Sequence, residues 1–181
     1  MAFSRLDELR HPGAGGDRWW FDLTAPAARL SVELVGPDAG PWHFRAVLRD
    51  GEGPGDLVVV DDAEVPAPKG RSLELRTHGL WLEHVVEEPF DHISVGCEAF
   101  ALRIEALPAD HVELVGEPVP FGLDLGWEAQ GEIVAANPGP GYEIRAVIYG
   151  EILLGDARIV VDGAPGAWGH VWAGDLSMRS F

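Results

Sequence analysis

A chain of 181 residues, 46% hydrophobic and 24% charged, has the size and composition of one globular domain with its own core, which excludes a disordered segment. Its 30 acidic against 13 basic residues give a formal charge of -17, a field that repels polyphosphate and argues against nucleic acid or an anionic membrane as partner. The single cysteine, Cys97, excludes an internal disulfide.

Residues 1–18 read as an N-terminal arm or lid. The segment Ser4–Arg10 is charged where a secretory signal needs an apolar run, and "HPGAGGD" stops any helix begun there. No apolar stretch approaches the ~18 residues of a membrane span, so the expected location is a reducing cytoplasm.

Residues 19–181 read as a single all-β domain. Its apolar runs, in order, are "RWWFDLT", "ARLSVELVG", "WHFRAVLRD", "DLVVVDDAEV", "RSLELRTHG", "LWLEHVVEEP", "DHISVGCEAFALRIEAL", "HVELVGEPV", "FGLDLGWEAQG", "YEIRAVIYGEILLGDARIVVDG" and "GAWGHVWAGDLSM". Gly, Pro and Asp clusters separate them, the rhythm of antiparallel strands and turns. Apolar residues alternate at Leu30, Val32 and Leu34, at Trp42, Phe44, Ala46 and Leu48, and at Ile144, Ala146 and Ile148, whereas no window past Arg10 keeps a helical period. Roughly nine to eleven strands without helices must close into a barrel or stack as a sandwich. The two longest runs, Asp91–Leu107 and Tyr142–Gly163, exceed an ordinary strand of about five or six residues. Glycines 96, 150 and 155 within them are the corners and bulges of a barrel wall, which favours a single antiparallel barrel.

The chemistry is sparse. No G-x-S-x-G elbow occurs, and Cys97 sits in a strand without a cation to make it a thiolate. Seven histidines (11, 43, 78, 84, 92, 111 and 170) include no pair at metal-site spacing on one element. No metal is expected, although His84 and His92 flank the turn "EEPFD" and could face each other across a hairpin. The glycines of "GAGG" and "GPGYE" read as turns, since neither stretch follows a strand and opens a helix, so no cofactor is expected.

Carboxylates are the better candidates. Glu98, Asp124, Glu128 and Glu151 lie within apolar strands beside Phe100, Trp127 and Tyr149, and a carboxyl desolvated by such neighbours can give up a proton near neutral pH. Alternation alone also puts charged residues on the outer face of a strand. Seven tryptophans, among them Trp81, Trp127, Trp168 and Trp172, are spread over most of the runs, placed to fill a core or to line an apolar cavity.

The strings "RWWFDL", "LELRTHGLWLEHVVEEPFDHISVGCEAFALRIE", "VPFGLDLGWE" and "YEIRAVIYGEILLGDARIVVDG" resemble, in order, segments of bacterial proteins related to the lipocalin-like AttH and hydroxyneurosporene synthase (carotenoid hydratase) group, over about Trp19 to Trp172. The resemblance implies a lipocalin-like (calycin-type) barrel around an apolar cavity. The activities it implies are water addition to isoprenoid double bonds or ring closure on polyketides. Larger relatives carry two barrels in tandem; here a homodimer would compensate for the second. The chain departs from the group's closing pattern: His170 and Trp172 remain, but Trp168 stands where an Arg is expected and Gly174-Asp175-Leu176 replaces Arg-Asp-Trp. Exchanging a fixed cation for an aromatic surface suits a less polar ligand.

The expected function is uptake of a hydrophobic small molecule, such as a terpenoid, steroid or polyketide intermediate, and its cyclisation, hydration or isomerisation. Polar candidates are Glu98, Asp124, Glu128, Tyr149, Glu151 and His170. Trp81, Phe100, Trp127, Trp168 and Trp172 are the candidate walls. The alternative is a carrier or interaction module without chemistry, and a third is a barrel filled solid by its tryptophans.

Overall fold

The computed structural model describes residues 3–50, 57–70, 72–107, 114–136, 139–173 and 176–178. His111, Gly174, Asp175 and most of the loop after Arg49 lie outside them. After a 3-10 turn at Arg5–Glu8, the strands are β1 (Gly16–Ala25), β2 (Ala28–Pro37), β3 (Trp42–Arg49), β4 (Leu57–Val65), β5 (Leu73–Arg76), β6 (Leu80–Glu88), β7 (His92–Ile104), β8 (Glu117–Ala129), β9 (Val134–Ala135), β10 (Gly141–Leu154) and β11 (Ala157–Trp172).

They form one antiparallel sheet in the order β4-β3-β2-β1-β11-β10-β8-β7-β6-β5, with β9 on β10. A short ladder, Leu57↔Ile104 to Val59↔Leu102, joins β4 to β7 and closes the sheet into a barrel. The remaining length of that edge of β7 is taken by β6, from Leu80↔Ala99 to Glu88↔His92. Beyond Val59, therefore, β4 parts from β7 and the β5–β6 hairpin fills the space. No ladder joins β4 to β5 among the described residues, which leaves a seam in the wall.

Period-two alternation sets which side chains turn inward. In β7, Ile93, Val95, Cys97, Ala99 and Ala101 are buried while Glu98 and Phe100 are exposed, because one slip in register would exchange the two sets. Trp19, Trp42, Trp127, Trp168, Tyr142, Phe21 and Phe44 are fully buried; burial of a side chain of this kind contributes on the order of 1.5–3 kcal/mol. Trp127 reaches across the interior from β8, donating its indole N–H to the Asp22 carbonyl of β1 at 3.3 Å.

The structure departs from the sequence reading at the long run Tyr142–Gly163. It is two strands, because Gly155 adopts φ +58° and turns β10 back into β11, the position at which a type II′ hairpin requires glycine. The last run, "GAWGHVW", continues β11 rather than forming a strand of its own, and the two runs before Tyr142 contribute one strand, β8. Gly150 does mark an irregularity: register shifts between Ile148 and Tyr149, and a Cβ at Gly150 would lie 2.1 Å from the Asp124 carbonyl.

Gly36 provides a check on the packing of the barrel end. A Cβ there would fall 2.1 Å from the ring of Trp42, which is wholly buried. Gly36→Ala is therefore expected to destabilise by about 1–3 kcal/mol through overpacking, seen as a lower urea midpoint with an unchanged slope.

Candidate functional site

The charged N-terminal segment, read from sequence as an arm or lid, folds onto one barrel end. Ser4 caps its 3-10 turn reciprocally with Asp7, which fixes the direction of the following residues. Phe3 packs against Phe90 and Tyr142, with ring centroids 6.3 and 5.9 Å away. Arg10 lies over the Trp42 ring and donates to the Pro68 and Gly70 carbonyls at 3.0 and 2.9 Å. The Gly13 and Gly15 amides donate to the Asp38 carboxylate.

This docking carries Glu8 into the barrel end, where it is 2% exposed. Neither carboxylate oxygen has a hydrogen bond of ordinary geometry. Burial pushes its pKa up to about 7, against a pull downward from the Phe90 backbone, the Trp168 indole and the Tyr142 hydroxyl. The Tyr142 hydroxyl is held protonated in turn, first by burial and then by the neighbouring Glu8 charge. Glu8 is thus a carboxyl that exchanges its proton near neutrality beside aromatic walls, the property required of a general acid.

A second polar group lies at the same end. The pairing of Trp19 with His170 between β1 and β11 places His170 beside Asp17, and its Nε2 is 2.9 Å from Asp17 Oδ1. His170 Nδ1 donates to the Asp7 carbonyl at 2.8 Å. Asp17 accepts the His11 amide on both oxygens, at 3.0 and 3.1 Å. The His170 ring stacks on Trp19 at 4.1 Å, and the His11 ring stacks on Trp172 at 4.0 Å. Burial holds the His170 pKa down, opposed by Asp17 and the Asp7 carbonyl.

Deeper in the barrel, His84 follows Leu80 and Leu82 on the inward face of β6, 5.2 Å from the Phe21 ring. Its pKa is pushed down to about 3, by burial first and then by the charge of His170. Yet it remains half-buried by surface area.

The other candidates fall on different sides of the wall. Glu98, Asp124 and Glu128 are exposed on the outer face, Tyr149 is 42% exposed, and half-buried Glu151 is paired with Arg158. The expectation that aromatic neighbours desolvate these carboxylates is corrected. Each occupies the polar half of an alternating strand, and the neighbours Phe100 and Tyr149 are themselves turned outward. Trp81 covers Gly96 from outside, where a Cβ would lie 3.2 Å from its ring, and Phe100 is 74% exposed; neither lines the interior. Trp127 and Trp168 do, and Trp172 sits half-buried against the arm.

His84 and His92 do not face each other: His84 pairs in register with Val95 and turns inward, while His92 pairs with Glu88 and lies against Gly126 on the outer face. The Cys97 thiol is pushed up to about 12, by burial first and Glu98 second, which leaves it inert. Two grooves open on the outer wall. One, of about 560 Å³, lies at the foot of the seam between Val60–Glu64, His78 and Phe100. The other, of about 630 Å³, lies between the outer faces of β1–β3 and Glu105–Leu107.

No helix among the described residues is long and apolar enough to cross a membrane. No family model, no curated protein and no solved structure matches the chain.

Proposed function

We propose that this barrel binds a hydrophobic small molecule, such as a terpenoid, steroid or polyketide intermediate, and promotes its cyclisation, hydration or isomerisation, with Glu8 as the proton donor. The observation that carries the reading is Glu8 itself: a carboxyl without a hydrogen bond of ordinary geometry and with a pKa of about 7, set against Tyr142 and Trp168 under a polar-tethered arm. Protonating an alkene or enol needs an acid that still holds its proton at neutral pH and an environment that keeps water away from the cation formed. Trp168 and Tyr142, which direct an indole N–H and a hydroxyl toward Glu8, bring aromatic rings close to that cation. The likeness of the ordered strings to the carotenoid hydratase group points to the same class of substrate. Polar contacts of Arg10 and Asp38 hold the arm over that end of the barrel.

One observation favours a second reading, a barrel without a ligand: Trp127 bridges the interior from β8 to β1. Titrating a panel of isoprenoids and polyketides while following tryptophan emission separates the two. A saturable response is expected, with product detected by mass spectrometry. Glu8→Gln should keep binding and lose turnover by roughly 10²–10⁴-fold. Unchanged emission and melting temperature across the panel would establish the filled barrel instead.

A further inference from the structure

His11, Asp17 and His170 offer three ligand atoms within 4.8 Å of one another. His170 Nε2 is 2.9 Å and His11 Nδ1 is 3.3 Å from the same oxygen, Asp17 Oδ1. Ligands bound side by side at about 2.1 Å from one ion stand roughly 3.0–3.4 Å apart, so these separations are those of neighbouring ligands on one centre. The far nitrogens of both rings address a single residue. His170 Nδ1 donates to the Asp7 carbonyl at 2.8 Å, and His11 Nε2 lies 3.5 Å from Asp7 Oδ1. A histidine oriented through one nitrogen toward a carbonyl or carboxylate turns the lone pair of the other toward a metal.

Satisfaction of the ring atoms points the same way. Once Nδ1 of His170 donates to Asp7, a neutral ring has only a lone pair to present to the Asp17 carboxylate. A proton or a metal ion between them relieves that contact. His11 Nδ1 is buried and faces the same Asp17 oxygen at 3.3 Å without a hydrogen bond of ordinary geometry. A cation at the same point serves all three.

We propose that His11, Asp17 and His170 form a binding site for a divalent transition-metal ion of the zinc type. Two imidazoles and one carboxylate select zinc or its first-row neighbours over magnesium or calcium, which prefer oxygen. Because His11 belongs to the arm and the other two to β1 and β11, the ion clamps the arm onto the barrel. The site does not draw on Glu8: loss of turnover in Glu8→Gln leaves it untouched, and absence of metal binding leaves the proton donor untouched.

The full chain, freed of metal by a chelator and dialysed, is titrated with zinc chloride by calorimetry. Binding of one equivalent is expected, with a rise in melting temperature. His11→Ala alters a half-buried ring on the arm and should weaken binding by more than the ~10–100-fold that loss of an orienting partner alone costs. His43→Ala, on the outer face beside Asp61, should leave it unchanged. In the wild-type protein, nitrogen NMR should show zinc moving Nδ1 of His11 and Nε2 of His170, a readout independent of how the variant folds. Zinc binding that is absent, or that leaves both nitrogens unmoved, overturns the proposal.

Discussion

Asp17→Ala is expected to destabilise the protein by about 1–3 kcal/mol, measured by urea unfolding with chelator present. Asp17 is 1% exposed and His170 is wholly buried. Removing the carboxylate leaves His170 Nε2 without its 2.9 Å partner and the His11 amide without either acceptor. The His11 amide then stays desolvated with no acceptor, and an unsatisfied buried donor of this kind sets the magnitude. In a chain of 181 residues it lowers the melting temperature by roughly 2–12 °C. Asp17→Asn should cost less, since its oxygen still accepts from the His11 amide. A cost below about 1 kcal/mol for the alanine variant would mean that the pair is wet and weak, contrary to the burial described above.

The barrel was legible in the sequence and this cluster was not, for a physical reason. Strand alternation is a local property: the inward set Ile93, Val95, Cys97 and the outward set Glu98, Phe100 can be told apart by spacing alone. The same spacing held the correct placement of Glu98, Asp124 and Glu128, because each alternates with buried neighbours. Their carboxyl chemistry drew attention to them, yet the polar side of an alternating strand is the solvent side. The turn at Gly155 was readable as glycine punctuation but ambiguous between a bulge and a hairpin, since both use positive φ.

Asp17 and His170 are 153 residues apart. Only the pairing of β1 with β11 brings them together, and the sequence announces strands but not which strands pair. Glu8 was hidden differently. It sits among charged residues without an apolar period, and its burial depends on contacts of the whole arm with Phe90, Tyr142, Trp42 and Asp38. No window of sequence around it carries that information.

Glu8→Gln is expected to stabilise the protein at pH 8 by about 1–3 kcal/mol and to do almost nothing at pH 5. The folded pKa of Glu8, about 7, lies above its unfolded value of 4.5. Between those values the folded state holds a proton that the unfolded state has released, so stability falls as pH rises. The contribution is whole below about pH 4.5 and gone once pH has passed about 7. Its full span for such a difference is about 3 kcal/mol. Glutamine imitates the protonated acid at every pH and removes the loss, less whatever its amide N–H groups cost if they find no acceptor between Trp168 and Tyr142. Melting temperatures of both proteins from pH 4 to 9 should therefore converge at the acid end, part between about pH 4.5 and 7, and keep a constant separation above that. Parallel curves would show that Glu8 titrates in the fold as it does in the unfolded chain, and the proton donor would have to be sought elsewhere, with His84 inside the barrel remaining neutral over the whole range because its pKa is about 3.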